Sequence, residues 1–357
     1  MPEVLLNIAG RAYGGWKAIS VNRTIEALAG SYELKLAERY PGQQAKAQIA
    51  PGQAASLSID GKTVITGFTD DVEPAYDEKT HDLTIRGRDA TGDLIDSDAI
   101  PPAGQLGQWL DTPLLTLAKT LCDPFGIPVS ADVDTGDPLR IFKIELGEKV
   151  FTAIDRLARL RQVLATSDGK GGLHFTRAAS GVAHSAVKLG QNVKRGRGRL
   201  SWRERFSDYI VMAQLAGVDS VDVETSAGLS ATAKDPGVTR YRPKLILDDL
   251  TDFNDGIFKQ RAEWEASVRA ARARRIIETV NGWYDANGAL WRPNDTVELT
   301  DDFLASYGSF LISGVRLTLD DDGGELAELT LVSPDAFLPQ PMGKNPDWQA
   351  AGYLGGS

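Results

Sequence analysis

Val64-Ile65-Thr66-Gly67 and Leu311-Ile312-Ser313-Gly314 each read as a strand running into a glycine bend. The first is followed by an acidic stretch holding Asp70 and Asp71, then Leu83-Thr84-Ile85, then Asp89-Ala90. The second is followed by Asp320, Asp321 and Asp322, then Leu329-Thr330-Leu331, then Asp335-Ala336. The glycine-to-aspartate offsets are 22 and 21 residues. Upstream, Pro51-Gly52-Gln53 before Leu57-Ser58 matches Pro293-Asn294-Asp295 before Leu299-Thr300. Glycine inside a strand marks a bulge or tight bend, the device by which a sheet curls. A repeat on this scale changes the fold reading: it implies two related β-barrels about 245 residues apart.

Working outward, residues 1–98 alternate in β fashion. Val4-Leu5-Leu6-Asn7-Ile8 and Tyr32-Glu33-Leu34-Lys35-Leu36 are strands, and Asp60-Gly61 between Ser56–Ile59 and Lys62–Thr66 is a strong hairpin signal. The pattern then changes. Leu114, Leu117, Ala118 and Leu121 fall at helical spacing behind Pro113, and Gly126 ends that helix. A second helix lies between Glu148 and Ala165, followed by a strand, a glycine turn at Asp168–Gly172 and another strand. Beyond it the chain returns to β, with one helix over about 256–275.

The expected fold class is therefore β-rich α+β: two related β-barrel domains with a small α/β domain inserted between them. The first barrel spans 1–98 and is completed by strands near 183–235. The α/β domain is 99–182, the second barrel 236–335, and 336–357 an extended tail holding Pro339, Pro341 and Pro346.

Several chemistries are disfavoured. The sole cysteine, Cys122, cannot close an intrachain disulfide, and it reads as a buried structural thiol. His81, His174 and His184 never stand at ligand spacing, so no metal site or cofactor is expected. No Gly-x-Ser-x-Gly elbow or phosphate loop is present. No apolar run approaches the roughly 20 residues of a membrane span, and the first residues carry no basic leader. The net charge of −10 argues against a free nucleic-acid binder. Against that balance stands one basic run, Lys194, Arg195, Arg197, Arg199, Arg203 and Arg205, interrupted only by Glu204. It reads as a solvated loop or a contact to another subunit or partner. The acidic clusters, Asp70-Asp71, Asp248-Asp249, Asp301-Asp302 and Asp320–Asp322, read as solvated turns or lumen lining rather than as a catalytic acid pair. Trp283 and Trp291 read as aromatics packing a barrel rather than as a sugar platform.

The order of these motifs resembles the baseplate hub proteins of contractile-tailed phages, the Mu-like 43-kDa tail protein group, related to late-control D proteins and type VI secretion spike hubs. Tyr13-Gly14-Gly15-Trp16 with Ile25–Gly30, the passage from Val64 through His81–Asp89 to Asp93-Leu94-Ile95-Asp96, Gly147–Arg159, Arg205–Tyr209, and Gly282-Trp283 with Leu290-Trp291 carry the likeness. The resemblance covers about 1–335. It implies a non-enzymatic homotrimer of two tube-like barrels per chain, joining a sixfold tail tube to a threefold central spike. Its implied partners are copies of itself, the tail tube protein, the central spike protein and other baseplate proteins, with DNA only in passage and no membrane insertion. It implies assembly in the bacterial cytoplasm and residence in the virion tail. On this reading Asp70, Asp71, Asp320, Asp321 and Asp322 contribute to the lumen or its rims, and the basic run faces another subunit. The alternatives are the hub of a type VI-like or tailocin spike and, from another class, a carbohydrate-active or peptidoglycan-cleaving tail protein. That no spike domain follows residue 357 is taken to favour a hub whose spike is a separate protein.

Overall fold

The computed structural model describes residues 2–37, 49–78, 81–103, 107–183, 185–213, 230–248 and 255–341. His184, Asp249, much of the 183–235 segment and the tail from 342 onward lie outside the described residues.

The first stretch is all strand: β1 (Val4–Ile8), β2 (Arg11–Tyr13), β3 (Ala18–Thr24), β4 (Ser31–Ala37), β5 (Ala54–Ile59), β6 (Lys62–Tyr76) and β7 (His81–Asp89). Asp60 and Gly61 both take positive φ, 46° and 74°, as a tight two-residue hairpin requires. The middle stretch holds α1 (Gly92–Asp96), β8 (Gln108–Thr112), α2 (Leu114–Cys122), β9 (Val129–Ala131), β10 (Leu139–Lys143), α3 (Val150–Leu160), β11 (Leu164–Ser167) and β12 (Leu173–Thr176). Pro113 caps α2 at its start, and Gly126 at φ 68° closes the short 3-10 turn after it. The last stretch holds β13 (Gly181–Val182), β14 (Val187–Lys188), β15 (Val193–Leu200), β16 (Asp208–Ala213), β17 (Ser230–Lys234), β18 (Pro243–Asp248), α4 (Asp255–Arg272), β19 (Arg274–Asn281), β20 (Asp295–Asp301), β21 (Ser306–Asp320) and β22 (Gly324–Val332).

Strands from both ends of the chain share one sheet, in the order β15-β19-β22-β21-β3-β4-β7-β6-β5-β1-β2, with β20 also on β21 and the short β13 and β14 on β20. Two like halves are visible in this order. The first runs β3-β4-β7-β6-β5 and the second β15-β19-β22-β21-β20, antiparallel throughout. They join where β21 pairs with β3 over Gly314–Leu319 and Ile19–Thr24. Two separate closed barrels do not form among the described residues; one sheet passes through both halves.

The repeat is present, with a register different from the one the glycines suggest. β6 bulges between Thr69 and Asp71, and β21 between Ile312 and Gly314. Gly52 donates its N–H to Thr69 O and Asn294 donates to Ile312 O, both residues at left-handed φ, 80° and 74°. These landmarks make Leu57 correspond to Leu299, as the upstream match has it, but set Gly67 against Phe310 rather than Gly314. The two glycines have different reasons to be there. A Cβ on Gly67 would stand 2.1 Å from Arg88 O, whereas one on Gly314 would meet nothing nearer than Thr24 Oγ1 at 3.4 Å.

The main core lies on one face of this sheet and takes apolar side chains from both halves, among them Val21, Leu34, Leu57, Ile85, Leu299, Leu317 and Leu329. Trp283 is fully buried there with its Nε1–H bonded to Thr318 O and Leu326 O, and Trp291 is 5% exposed. Each such side chain stabilises by roughly 1.5–3 kcal/mol through area removed from water. A second core is built by α2, α3 and the strands around them. Cys122 sits in it with no exposure, and burial pushes its thiol up to about 12. A third, small core forms where α4 lays Phe258 and Ala262 on Tyr209 and Val211 of β16.

Two local expectations change. The helix near 256–275 ends at Arg272, and Arg274 and Arg275 already belong to β19. The basic run is not a loop: Val193–Leu200 is a strand, because its main chain pairs along β19.

Candidate assembly interface

Alternation along the strands gives the large sheet one apolar and one polar face. Ser20, Glu33, Arg86, Arg88, Arg316 and Glu328 help line a groove of about 1280 Å³ on the polar face. Two of its arginines are bound to carboxylates. Arg86 lies 2.8 Å from Glu33 and 2.6 Å from Glu73; Arg88 lies 2.7 Å from Asp70 and 2.6 Å from Asp96. Hydrogen bonds from the guanidiniums hold the Glu33 and Asp96 carboxyls below the usual carboxylate range.

Among the described residues, β15 and the later half of β6 are open edges of this sheet that bear on the repeat; β2, at the far end of the strand order, is another. β15 pairs only with β19 among the described residues. Its Arg195, Arg197 and Arg199 stand opposite Thr279, Ile277 and Arg275, and Arg197 and Arg195 reach Glu328 of the groove at 3.4 and 3.9 Å. Their side chains remain largely exposed. The other edge is the later half of β6. Its partner β5 stops at Phe68, so Asp71–Tyr76 pairs only with β7 among the described residues. That edge carries Asp70, Asp71 and Glu73. Among the described residues the sheet thus has a basic edge at β15 and, beyond the end of β5, an acidic stretch of edge on β6.

The remaining residues singled out from the sequence fall elsewhere. Arg203 is exposed in a turn, where its carbonyl accepts from Arg242 at 3.1 Å. Arg205 turns inward and grips Asp235 through two bonds of 2.8 and 2.7 Å. Asp70 and Asp71 lie within β6 at its bulge rather than in a turn. Asp320, Asp321 and Asp322 form the exposed tip between β21 and β22, with Asp320 Oδ1 accepting from the Asp322 N–H. The structure brings Arg195 and Arg197 to the groove through Glu328 and leaves Asp320–Asp322 apart from it.

One feature overturns a sequence expectation: two acids are paired in the core. Glu278 of β19 has no exposure and Asp301 of β20 is 1% exposed. Burial, followed by the Asp301 charge, pushes the Glu278 carboxyl up to about 7. The only signal in the sequence is a lone acid inside the apolar run Ile276-Ile277-Glu278-Thr279-Val280.

Ser130 Oγ lies 2.9 Å from His174 Nδ1, and His174 Nε2 lies 3.4 Å from Asp132. The three groups of a hydrolytic triad are thus in a row. Ser130 of β9 is opposite His174 of β12, Asp132 follows the end of β9, and none of the three lines the groove. Asp132 also accepts from Thr176 Oγ1. This is a cross-strand polar ladder on an open surface. Among the described residues no group of three or more His, Cys, Asp or Glu is placed to hold a metal, and no helix is long and apolar enough to cross a membrane.

Comparison with known proteins agrees with this architecture. Residues 3–89 match the family model of the N-terminal part of Mu phage baseplate assembly protein GpP-like proteins, 91–177 the second domain of gp44-like baseplate hub proteins, and 256–340 the fourth domain of Mu phage GpP. The chain is 33% identical over 343 residues to baseplate hub protein gp44 of Escherichia phage Mu, covering 94% of this chain and 89% of that one. Its fold is similar to the crystal structure of the 43 kDa tail protein of prophage MuSo2 from Shewanella oneidensis: TM-score 0.82, 35% identity, 96% of this chain and 100% of the other. A component of the E. coli type VI secretion system shares the fold alone, at TM-score 0.56 and 12% identity, over 92% of this chain and 76% of the other. A sheet in two like halves, with an α/β unit between them, is thereby matched over nearly its whole length, and the chain belongs to the Mu-like baseplate hub family.

Proposed function

We propose that this chain is the structural hub of a contractile-tail baseplate and works as a ring of three copies. The observation that carries the reading is the junction within the chain. β21 of the second half pairs with β3 of the first. In the repeated order β6 is the counterpart of β21, and β15 the counterpart of β3. Both counterparts carry open edge among the described residues. The pairing made once inside the chain is therefore available a second time between chains, with β15 of one copy on the Asp71–Tyr76 edge of the next. Such a contact is heterologous, and it forms a closed ring only if its rotation closes. An open edge left unpaired is a liability in solution; carried over to this contact, the junction register puts Arg199 opposite Glu73, and the basic run along the acidic stretch would set its direction.

Three copies of two like halves present six similar segments around one axis. That is the arrangement an adaptor needs between a sixfold tail tube and a threefold central spike, with the other baseplate proteins outside. The tube-like barrel is then a property of the ring, closed by three sheets in series. The polar groove becomes the bore wall. Two of its arginines, Arg86 and Arg88, are already occupied by carboxylates, which weakens its hold on passing DNA. Asp70 and Asp71 lie on this wall and Asp320–Asp322 at a rim. The role is structural, in the virion tail, with assembly in the bacterial cytoplasm.

Sedimentation equilibrium on the purified chain tests the ring. The expected mass is about three times 38.5 kDa. A dimer, or a strict monomer at micromolar concentration, overturns it.

A further inference from the structure

The two halves differ at one buried place, and the difference lies under the open edge. Counting from the bulges, Leu34 of β4 corresponds to Glu278 of β19, and Ile59 of β5 to Asp301 of β20. Leu34 and Ile59 have no exposure and belong to the main core. Where the first half buries two aliphatic side chains, the second buries two acids. The strand above them changes as well. Ile19 of β3 pairs with Leu34 and Val21 with Tyr32, both inward and buried. Their counterparts on β15 are Gly196, opposite Glu278, and Gly198, opposite Ile276. A Cβ on Gly196 would stand 2.7 Å from Glu278 Oε2. The carboxyl thus fills the space a side chain of β15 would take, and from Lys194 onward β15 is exposed.

Neither Glu278 oxygen has a hydrogen-bond donor. A buried carboxylate in that state is costly, and two adjacent ones more so. A carboxyl can bond to a neighbouring carboxylate only when one of them carries a proton. Among the described residues, the neighbouring strands offer Glu278 no cation. β22 presents Leu329 opposite Glu278, and the inward residue of β14 is buried Val187. Arg274, on Glu278's own strand, is spent on Leu304 O, Ala305 O and Ser306 Oγ. Asp301 Oδ1 accepts from the Leu304 N–H, which leaves Oδ2 for the shared proton.

We infer that Glu278 and Asp301 hold one proton between them beneath β15, and that loss of this proton loosens the strand, making the basic edge sensitive to pH. The lock is a property of the single chain; only its consequence for self-association rests on the proposed function. The sign follows from linkage. A carboxyl that keeps its proton to about pH 7 when closed, but only to 4.5 when exposed, favours the closed strand at low pH. That advantage is lost as pH rises between those values and is gone above about 7.

Hydrogen exchange of the Val193–Leu200 amides, corrected for intrinsic rates, tests it on the full-length protein. In the wild type, opening of β15 should rise about tenfold per pH unit between about 5 and 7 and level off above. In E278Q, and in the E278L/D301I double variant that copies the first half, opening should lose this pH dependence. Infrared difference spectra of the wild type, which need no variant, should show a protonated buried carboxyl at about pH 5.5 that is gone by about pH 8.5. A β15 whose opening is flat with pH, or equally pH-dependent in the variants, overturns the lock, as does absence of the infrared band. Sedimentation of the same samples separates this result from the ring: a pH-dependent strand in a protein that never forms a trimer keeps the lock and rejects the ring.

Discussion

Arg316 donates its Nε–H to Ser20 Oγ at 3.0 Å, although the two residues stand 296 positions apart in the chain. They sit at the centre of the junction that makes one sheet of two halves: Arg316 pairs with Asn22 and Thr318 with Ser20. Beneath that bond, on the opposite face, Leu317 is 4% exposed and opposite Val21. The polar contact on one face aligns the strands, while the apolar contact on the other supplies the adhesion.

These two contributions separate experimentally. Leu317→Ala should cost about 2–4 kcal/mol, the usual penalty for a cavity in a packed core. Arg316→Ala, an exposed polar contact, should cost less than about 1 kcal/mol. Urea unfolding midpoints check both. Equal losses would mean that the junction is held from its polar face.

If the open edges repeat this junction between copies, their charges are coupled. Reversing Arg195, Arg197 and Arg199 to Glu should weaken self-association at least about tenfold at low salt, and added salt should shrink the difference. A second variant carrying D71K and E73K should be weakened likewise. Mixed together, the two should recover association through their complementary edges. Sedimentation of each variant and of the mixture decides it. No recovery would place the interface elsewhere.

Much of this organisation is legible in the sequence because strand alternation, the Asp60-Gly61 turn and the Pro113 and Gly126 boundaries are local signals. The repeat is legible too, but its register is not. Gly67 and Gly314 catch the eye as a matched pair, yet the true landmarks are bulges at Thr69 and Ile312, and a bulge leaves no fixed residue type behind. The basic run deceives for a related reason. Glycine and arginine in alternation look like a loop, while main-chain pairing with β19 and the space that Gly196 leaves for Glu278 make it a strand. The acid pair is hidden because Glu278 and Asp301 meet only when β19 and β20 fold over the same core. The open edges follow from strand order, which no short window of sequence contains.

The two glycines therefore should not respond alike. A side chain on Gly67 would be driven into Arg88 O, and the nitrogen of Ala90 lies 2.4 Å from the same Cβ position. Arg88 O belongs to the paired strand β7 and the Ala90 N–H, just past its end, bonds Thr66 O, so neither steps aside. Gly67→Ala should destabilise by about 2 kcal/mol or more through forced separation of β6 and β7. Gly314→Ala, with 3.4 Å to Thr24 Oγ1, should be within about 1 kcal/mol of wild type. Thermal or urea denaturation of the pair checks the contrast, and equal penalties would restore the two glycines as structural equivalents.

The groove makes the last prediction. Arg86 and Arg88 line what we propose to be the path of the DNA, and each is bound to two carboxylates. An arginine held in this way has little charge left for phosphate, and a chain of net charge −10 adds long-range repulsion. Wild-type protein should therefore bind duplex DNA weakly even at about 50 mM salt. Replacing the four partners together, E33Q, D70N, E73Q and D96N, frees both arginines. Duplex affinity should then rise, and its salt dependence should steepen by about two in the log–log slope for two new phosphate contacts. A fluorescence titration across salt concentrations reads both quantities. Tight, salt-sensitive binding by the wild type that vanishes when Lys194, Arg195, Arg197, Arg199, Arg203 and Arg205 become Ser would instead make the basic run a DNA site, and the bore could no longer be a passive wall.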